Sequence, residues 1–129
     1  MQSQALTSPD PHKGEMMAKY IANFSYSSGS WARMINSLDV DQTTVVERTL
    51  ESVGGSLECL YWQVACHDGC TIFEAPDSVT AEAVEQAMTK TGAYKCMEVH
   101  ELLTQKQLID SLHLARDAAQ VYEVPGQSD

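Results

Sequence analysis

Apolar and polar residues alternate in four stretches of the chain, and this period of two predicts four β-strands. The first stretch runs from Ala18 to Tyr26, and the fourth runs from Tyr94 to Leu103. The second and third flank Asp68-Gly69, a pair that suits a two-residue type I′ turn because both central positions take positive φ. We therefore expect a hairpin that turns at Asp68 and Gly69.

The alternation also assigns a face of the sheet to each strand residue. In the first strand Tyr20, Ala22, Phe24 and Tyr26 share one face, and Ile21, Asn23 and Ser25 share the other. A turn at Asp68-Gly69 pairs His67 with Cys70, Ala65 with Ile72 and Gln63 with Glu74. One face of the hairpin is then apolar, and the other collects Cys59, Tyr61, Gln63, His67, Cys70 and Glu74.

Three stretches with a period of 3.6 residues predict amphipathic helices. The first follows Asp39 and Gln42 as a capping box and ends at Gly54; the second begins at Pro76-Asp77. The third begins with the capping box Thr104 and Gln107 and presents the stripe Leu108, Ile109, Leu112, Ala115 and Ala119. In addition, Ser30 is expected to cap a short turn whose Trp31, Met34 and Ile35 pack into the core.

The order β-α-β-β-α-β with a terminal helix predicts an α+β fold of the ferredoxin-like, split βαβ type, with a four-stranded antiparallel sheet. Helices cover one face, so the other face is expected to be covered in a homodimer or higher homo-oligomer. We expect one domain over residues 17–122, a flexible extension over 1–16 and a flexible tail over 123–129.

Eighteen acidic residues against eight basic ones give a net charge of −10, which argues against nucleic acid and anionic membranes as partners. The sequence has no apolar run that would span a bilayer and no signal-peptide pattern at its start, so a cytoplasmic protein is expected. Four cysteines in that compartment are expected to be thiols or ligands. We expect no cofactor.

Four features of the sequence resemble the GYD domain family, which belongs to the dimeric α/β-barrel superfamily. They are Gly54-Gly55-Ser-Leu-Glu, the hairpin from Asp68 to Glu74-Ala75-Pro76-Asp77, the helix of small residues, and the strand from Lys95 to Leu103. The resemblance covers roughly Lys19 to Leu112. Of the residues that give the family its name only Asp68 is kept, since Ala65 or Cys66 and His67 stand where Gly and Tyr are expected.

The resemblance implies the fold and a dimeric α/β barrel. Relatives in the wider superfamily include cofactor-free monooxygenases, isomerases, haem-handling enzymes and ligand-sensing domains. They use the cleft between sheet and helices or the interior of the barrel.

The polar side chains of the sheet suggest acid/base chemistry. His100 is the candidate general base, Glu98 on the same face would orient it, and Tyr61 could donate a hydrogen bond to a developing oxyanion. Candidates for binding a substrate are Asn23, Gln63, Glu74, Trp31 and Arg33. Each also has a simpler interpretation: an interface histidine, a packed tyrosine, or a core tryptophan.

The cysteines and histidines could instead bind a metal, and the candidates are Cys59, His67, Cys70 and Cys96. Cys59 and Cys96 fall at opposite edges of the predicted sheet, so a single site within one protomer is not expected. Three hypotheses for function follow from these residues. The first is a cofactor-free isomerase, cyclase or monooxygenase-like enzyme acting on a small molecule. The second is a non-catalytic ligand-binding or assembly module, and the third is a metal-binding protein.

Overall fold

A computed structural model describes residues 17–126 of the chain. It contains four strands and four helices in the order β-α-α-β-β-α-β-α. Their bounds are β1 Ala18–Tyr26, α1 Ser28–Asn36, α2 Gln42–Glu51, β2 Ser56–Trp62, β3 Gly69–Ala75, α3 Ser78–Thr89, β4 Tyr94–Leu102 and α4 Gln105–Ala119. The expected extension over 1–16 lies outside the described residues, as does the end of the expected tail.

The four strands form one antiparallel sheet in the order β2-β3-β1-β4. β1 lies at the centre beside both β3 and β4, although these strands are distant in sequence. This order confirms the α+β ferredoxin-like fold and the separation of Cys59 from Cys96. The dimeric barrel stays a prediction.

The core lies between one face of the sheet and the helices α2 and α3. The sheet contributes Tyr20, Ala22, Phe73 and Ala75, and the helices contribute Val46, Leu50, Ala81 and Val84. These strand residues are the ones that the alternation assigned to the apolar face. The predicted faces of β1 and β3 are therefore confirmed.

The hairpin does not turn at Asp68-Gly69, and this prediction was wrong. Trp62 pairs with Gly69, so residues 63–68 form a six-residue loop, and the positive φ of that loop belongs to Ala65 at 97°. From Cys59 to Trp62 the predicted and observed pairings differ by an even number of residues, so these side chains keep their predicted faces. A register shift between Leu57 and Cys59 ends this agreement, and Val64, which was predicted on the apolar face, is exposed in the loop. Gly69 is required for another reason: a Cβ there would lie 2.4 Å from Cζ of Phe24.

Two helices begin at other caps than expected. The N-cap of α1 is Ser27, whose side chain accepts from the N–H of Ser30, and the N-cap of α2 is Asp41. Ser30 and Asp39 were each predicted to cap, but a neighbouring residue of the same chemical type does so. Trp31 and Ile35 of α1 are 41% and 68% exposed, so their predicted place in the core was also wrong.

The C-terminal helix α4 begins at the predicted capping box. The N–H of Gln107 donates to Oγ1 of Thr104 at 3.1 Å, and the N–H of Thr104 donates to Oε1 of Gln107 at 2.8 Å. None of the residues of α4 is buried. Its apolar stripe is therefore uncovered by the described part of the chain. No helix among residues 17–126 is both long and apolar enough to cross a membrane.

The contact between Gly69 and Phe24 predicts a loss of stability in Gly69→Ala. The added Cβ would collide with a ring that is 4% exposed and packed edge-on against Tyr26 and Tyr94. Overpacking of this kind costs about 1–3 kcal/mol of unfolding free energy. Urea unfolding followed by circular dichroism measures the change.

Gly29→Ala is the matched control, because a Cβ at this position of α1 makes only ordinary contacts, the nearest at 3.6 Å. It should leave stability unchanged or raise it by up to about 1 kcal/mol, since alanine is the better helix former. Equal stability of Gly69→Ala and the wild type would contradict the close approach.

Candidate functional site

The outer face of the sheet, defined here as the face opposite α2 and α3, presents polar side chains in a cross-strand row. Tyr61 pairs with Cys70, Cys70 pairs with Asn23, and Asn23 pairs with Glu98. Because paired residues point to the same side of a sheet, the four side chains cross it in one line. Polar groups therefore follow the middle of the outer face from one edge strand to the other.

The neighbouring row on the outer face is more apolar. It runs through Cys59, Ile72, Ile21 and His100 in the same strand order. The side chain of His100 is 64% exposed, whereas both isoleucines are only partly buried. The outer face thus combines apolar area with hydrogen-bonding groups, which is the composition of binding surfaces rather than of a fully solvated one.

The loop over residues 63–68 brings two more side chains to this face. Nε2 of Gln63 donates to Oδ1 of Asn23 at 3.3 Å. Nε2 of His67 lies 3.7 Å from Oε1 of Glu98, and Nε2 of His100 lies 3.9 Å from the same oxygen. One carboxylate oxygen therefore lies within reach of two imidazoles.

Asp68 holds this loop in place through four hydrogen bonds. Its Oδ2 accepts from the backbone N–H of Tyr26 at 2.9 Å and from Nε1 of Trp31 at 3.2 Å. Its backbone N–H donates to the carbonyl of Phe24 and its carbonyl accepts from the N–H of Gln63, both at 2.8 Å. The residue next to His67 is thus fixed to the end of β1 and to α1.

A second concave region lies between α1, the start of α2 and the start of β4. This open groove has a volume of about 430 Å³, and among its lining residues are Tyr26, Arg33, Asp41, Gln42 and Tyr94. Burial raises the pKa of Tyr94 to about 12, so its phenol stays protonated at neutral pH. Hydrogen bonds from Thr44 lower the pKa of the Asp41 carboxyl.

The space between the sheet and the helices is nearly filled. A cavity of about 20 Å³ remains there, lined mainly by apolar core side chains. A volume of this size holds about one water molecule. The cleft between sheet and helices, which the family resemblance suggested as a site, has no room for a substrate in this structure.

The structure brings some of the predicted site residues together and separates others. Glu98 and His100 lie together with Asn23 and Gln63 on the β1 and β4 side of the outer face. Tyr61 is on the far edge strand, three strand spacings or roughly 14 Å from Glu98. It is therefore not beside the proposed base within one protomer.

The remaining predicted binding residues lie elsewhere. Glu74 pairs with Lys19 towards the end of the sheet, and Lys19 forms an ion pair with Glu58 at 2.8 Å. Trp31 and Arg33 belong to α1, where Arg33 lines the groove and donates to Oγ of Ser30 at 3.2 Å. These residues do not form one site with His100.

His67 lies close to Cys96 and Glu98, and the sequence did not predict this proximity. The predicted tight turn paired it with Cys70 on β3, whereas the observed loop carries it to Cys96 and Glu98 on β4. The ligand atoms of His67, Cys96 and Glu98 all lie within 4.8 Å of one another. Cys59 and Cys96 lie on opposite edge strands, as predicted, but that separation does not prevent three ligand-type side chains from coming together within one chain. The expectation that no single metal site forms within one protomer stays a prediction.

The sheet order and the single layer of helices define an α+β protein with a ferredoxin-like fold. The chain belongs to the GYD domain family, whose model matches residues 20–112. This confirms the family resemblance of the sequence. A comparison with curated proteins finds no match.

Two solved structures are similar to the chain in fold. The crystal structure of MtbAldR is 9% identical at a TM-score of 0.52 and covers 79% of this chain. An AsnC family transcriptional regulator from Agrobacterium tumefaciens is 12% identical at a TM-score of 0.48 and also covers 79%. This chain spans 63% and 60% of their lengths. The likeness to MtbAldR concerns the fold alone.

The hydrogen bonds of Asp68 predict that Asp68→Ala destabilises the protein. The N–H of Tyr26, a buried residue, would lose its acceptor, and an unpaired buried donor costs about 1–3 kcal/mol. Asp68→Asn keeps a side-chain oxygen and should lose less. Urea unfolding of both variants measures the difference.

Asp39→Ala is the control, since the Asp39 carboxylate accepts only from Oγ of exposed Ser37 among the described residues. Its effect should stay within about 0.5 kcal/mol, as for most surface substitutions. If Asp68→Ala were no more destabilising than this control, the anchoring role assigned to Asp68 would be wrong.

Proposed function

We propose that the chain is a non-catalytic module that forms a homodimer and binds a small polar molecule at its outer face. The observation behind the proposal is that the outer face and the helix α4 are both uncovered, although each carries apolar side chains. The second of the three hypotheses, a non-catalytic ligand-binding or assembly module, thus replaces the enzyme as the leading one.

The helix α4 supports the assembly half of the proposal. Leu108, Ile109 and Leu112 lie on one side of this helix and are 44%, 40% and 54% exposed. A helix of 15 residues is marginal in water unless an apolar side packs against something. The stripe therefore needs a partner surface.

A second copy of the same chain is the partner that we propose. The family resemblance implies a dimeric barrel, in which two sheets face each other. A two-fold dimer brings the same patch together from both copies, so the patch must be self-complementary. The outer face meets this requirement because Ile21 and Ile72 lie between groups of both charge signs, such as Lys19 and Glu98.

Four polar side chains of the outer face support the part of the proposal that concerns ligand binding. Asn23, Gln63, Glu98 and His100 provide amide, carboxylate and imidazole groups, which donate and accept hydrogen bonds within a small area. A small polar molecule would use such groups for orientation, and isoleucines beside them would contact its apolar part. We expect the ligand to lie between the two facing sheets.

The enzyme hypothesis has less support from the geometry. It required Tyr61 to act together with His100, but the two residues are on opposite edge strands of the protomer. Both are also largely exposed, at 66% for Tyr61 and 64% for the side chain of His100. A binding role requires only the groups that lie together.

The double variant Leu108→Glu with Leu112→Glu should dissociate the dimer, because it introduces four buried carboxylates per dimer into the interface. Sedimentation velocity at micromolar concentration measures the shift from dimer to monomer. Leu114→Glu is the matched control, since Leu114 lies on the other side of α4 and is 69% exposed. It should sediment like the wild type. A wild-type chain that sediments as a stable monomer would refute the dimer.

Native mass spectrometry of the protein as purified tests the ligand. We expect the dimer to carry an additional mass that disappears under denaturing conditions and is reduced in Asn23→Ala. Thr43→Ala, a substitution at an exposed position of α2 away from the outer face, should keep the additional mass. An additional mass that Asn23→Ala leaves unchanged would contradict binding at the outer face.

A further inference from the structure

We infer that His67, Cys96 and Glu98 form a binding site for a zinc-like transition-metal ion. All three side chains come from one protomer, so the inference does not depend on the proposed dimer. It also adds a ligand of a different kind from the small molecule proposed above. Sheet geometry, the anchored loop and the chemistry of the three groups support it independently.

The distances between the three groups suit a single ion. Their ligand atoms all lie within 4.8 Å of one another, and Nε2 of His67 is 3.7 Å from Oε1 of Glu98. Zinc binds nitrogen, oxygen and sulfur at about 2.0–2.3 Å, so tetrahedral ligand atoms around it are roughly 3.3–3.8 Å apart. A side-chain movement of about 1 Å or less would close the widest of these distances around an ion.

The backbone holds the three residues on one side of the sheet. Cys96 and Glu98 are two residues apart on β4, so both point to the outer face about 6–7 Å apart along the strand. His67 belongs to the loop over residues 63–68. The next residue, Asp68, is bound to β1 through its hydrogen bonds with Tyr26 and Phe24. The site therefore needs little ordering of the chain before an ion binds.

The chemistry of the groups selects the class of ion. A thiolate, an imidazole and one carboxylate favour zinc or a similar borderline metal, whereas magnesium and calcium prefer sets of oxygen ligands. On binding, the Cys96 thiol loses its proton to solvent, and the sulfur and the neutral imidazole each donate an electron pair to the ion. Three protein ligands leave a fourth position for water or another molecule.

The exposure of the three side chains fits a site that opens to one side. The His67 side chain is 25% exposed and Cys96 is half-buried, whereas the Glu98 side chain is 53% exposed. The loop and the sheet would thus cover an ion on two sides. Its fourth coordination position would point away from the sheet, on the side where Glu98 is exposed. His100 reaches the same carboxylate, at 3.9 Å from Oε1.

Cobalt(II) is the probe for this site, because its bond to a thiolate gives a charge-transfer band in the near ultraviolet. We expect the chain of 129 residues, freed of metal with a chelator, to bind one cobalt ion with this band, and zinc to displace the cobalt. Cys96→Ser should abolish the band. Circular dichroism confirms that each variant is folded.

Loss of either other ligand tests the site without removing the sulfur. Even the loss of a group that only supports a ligand weakens metal binding by about 10- to 100-fold. His67→Gln and Glu98→Gln should therefore each weaken cobalt binding by at least about tenfold. The measurement is a titration followed at the charge-transfer band.

Cys66→Ser is the matched control, since Cys66 is an exposed thiol next to His67 but outside the three-residue cluster. It should keep the full band and the wild-type affinity. A band that survives Cys96→Ser, or one that depends on Cys66, would overturn the assignment. So would a folded wild-type chain that shows no saturable thiolate–cobalt band.

Discussion

The carboxylate of Asp68 is the group on which the outer face depends. It accepts from the N–H of Tyr26, where the pairing of β1 with β3 has already ended, and from the indole of Trp31. One acidic side chain thereby joins the end of the central strand, the helix α1 and the loop after β2. Because His67 is its neighbour in sequence, the direction of the loop over the sheet follows from these bonds.

The remainder of the fold leaves the outer face available. All ten buried apolar residues in the described part of the chain lie either on the helix side of the sheet or on the helices that cover it. A two-layer domain buries only one face of its sheet, and the second face of this one retains isoleucines that water solvates poorly. The residues that stabilise the protomer and those available for binding therefore lie on opposite sides of the same strands.

The sequence predicts the strands, their faces and the capping box at Thr104, because each follows from local pattern. It does not predict the register of the hairpin, since a shift by an even number of residues leaves the alternation unchanged. The cluster of His67, Cys96 and Glu98 depends on that register and on a loop spanning residues 63–68. The sequence also does not predict which of two serines or two aspartates caps a helix, since both members of each pair have the same side chain. The structure shows that Ser27 rather than Ser30, and Asp41 rather than Asp39, is the N-cap.

In the proposed dimer, binding of a ligand at the outer face and assembly through that face would be thermodynamically coupled. A molecule held between the two facing sheets of that dimer would contact groups such as Asn23 and Glu98 from both copies, so it would bind the dimer and not the monomer. Any ligand that binds only one state stabilises that state in proportion to the logarithm of its concentration. The dimer would therefore tighten as the ligand accumulates, and dilution of the protein would weaken the apparent affinity for the ligand. An uncovered, partly polar sheet face is suited to such coupling because its apolar area alone gives only a modest tendency to associate.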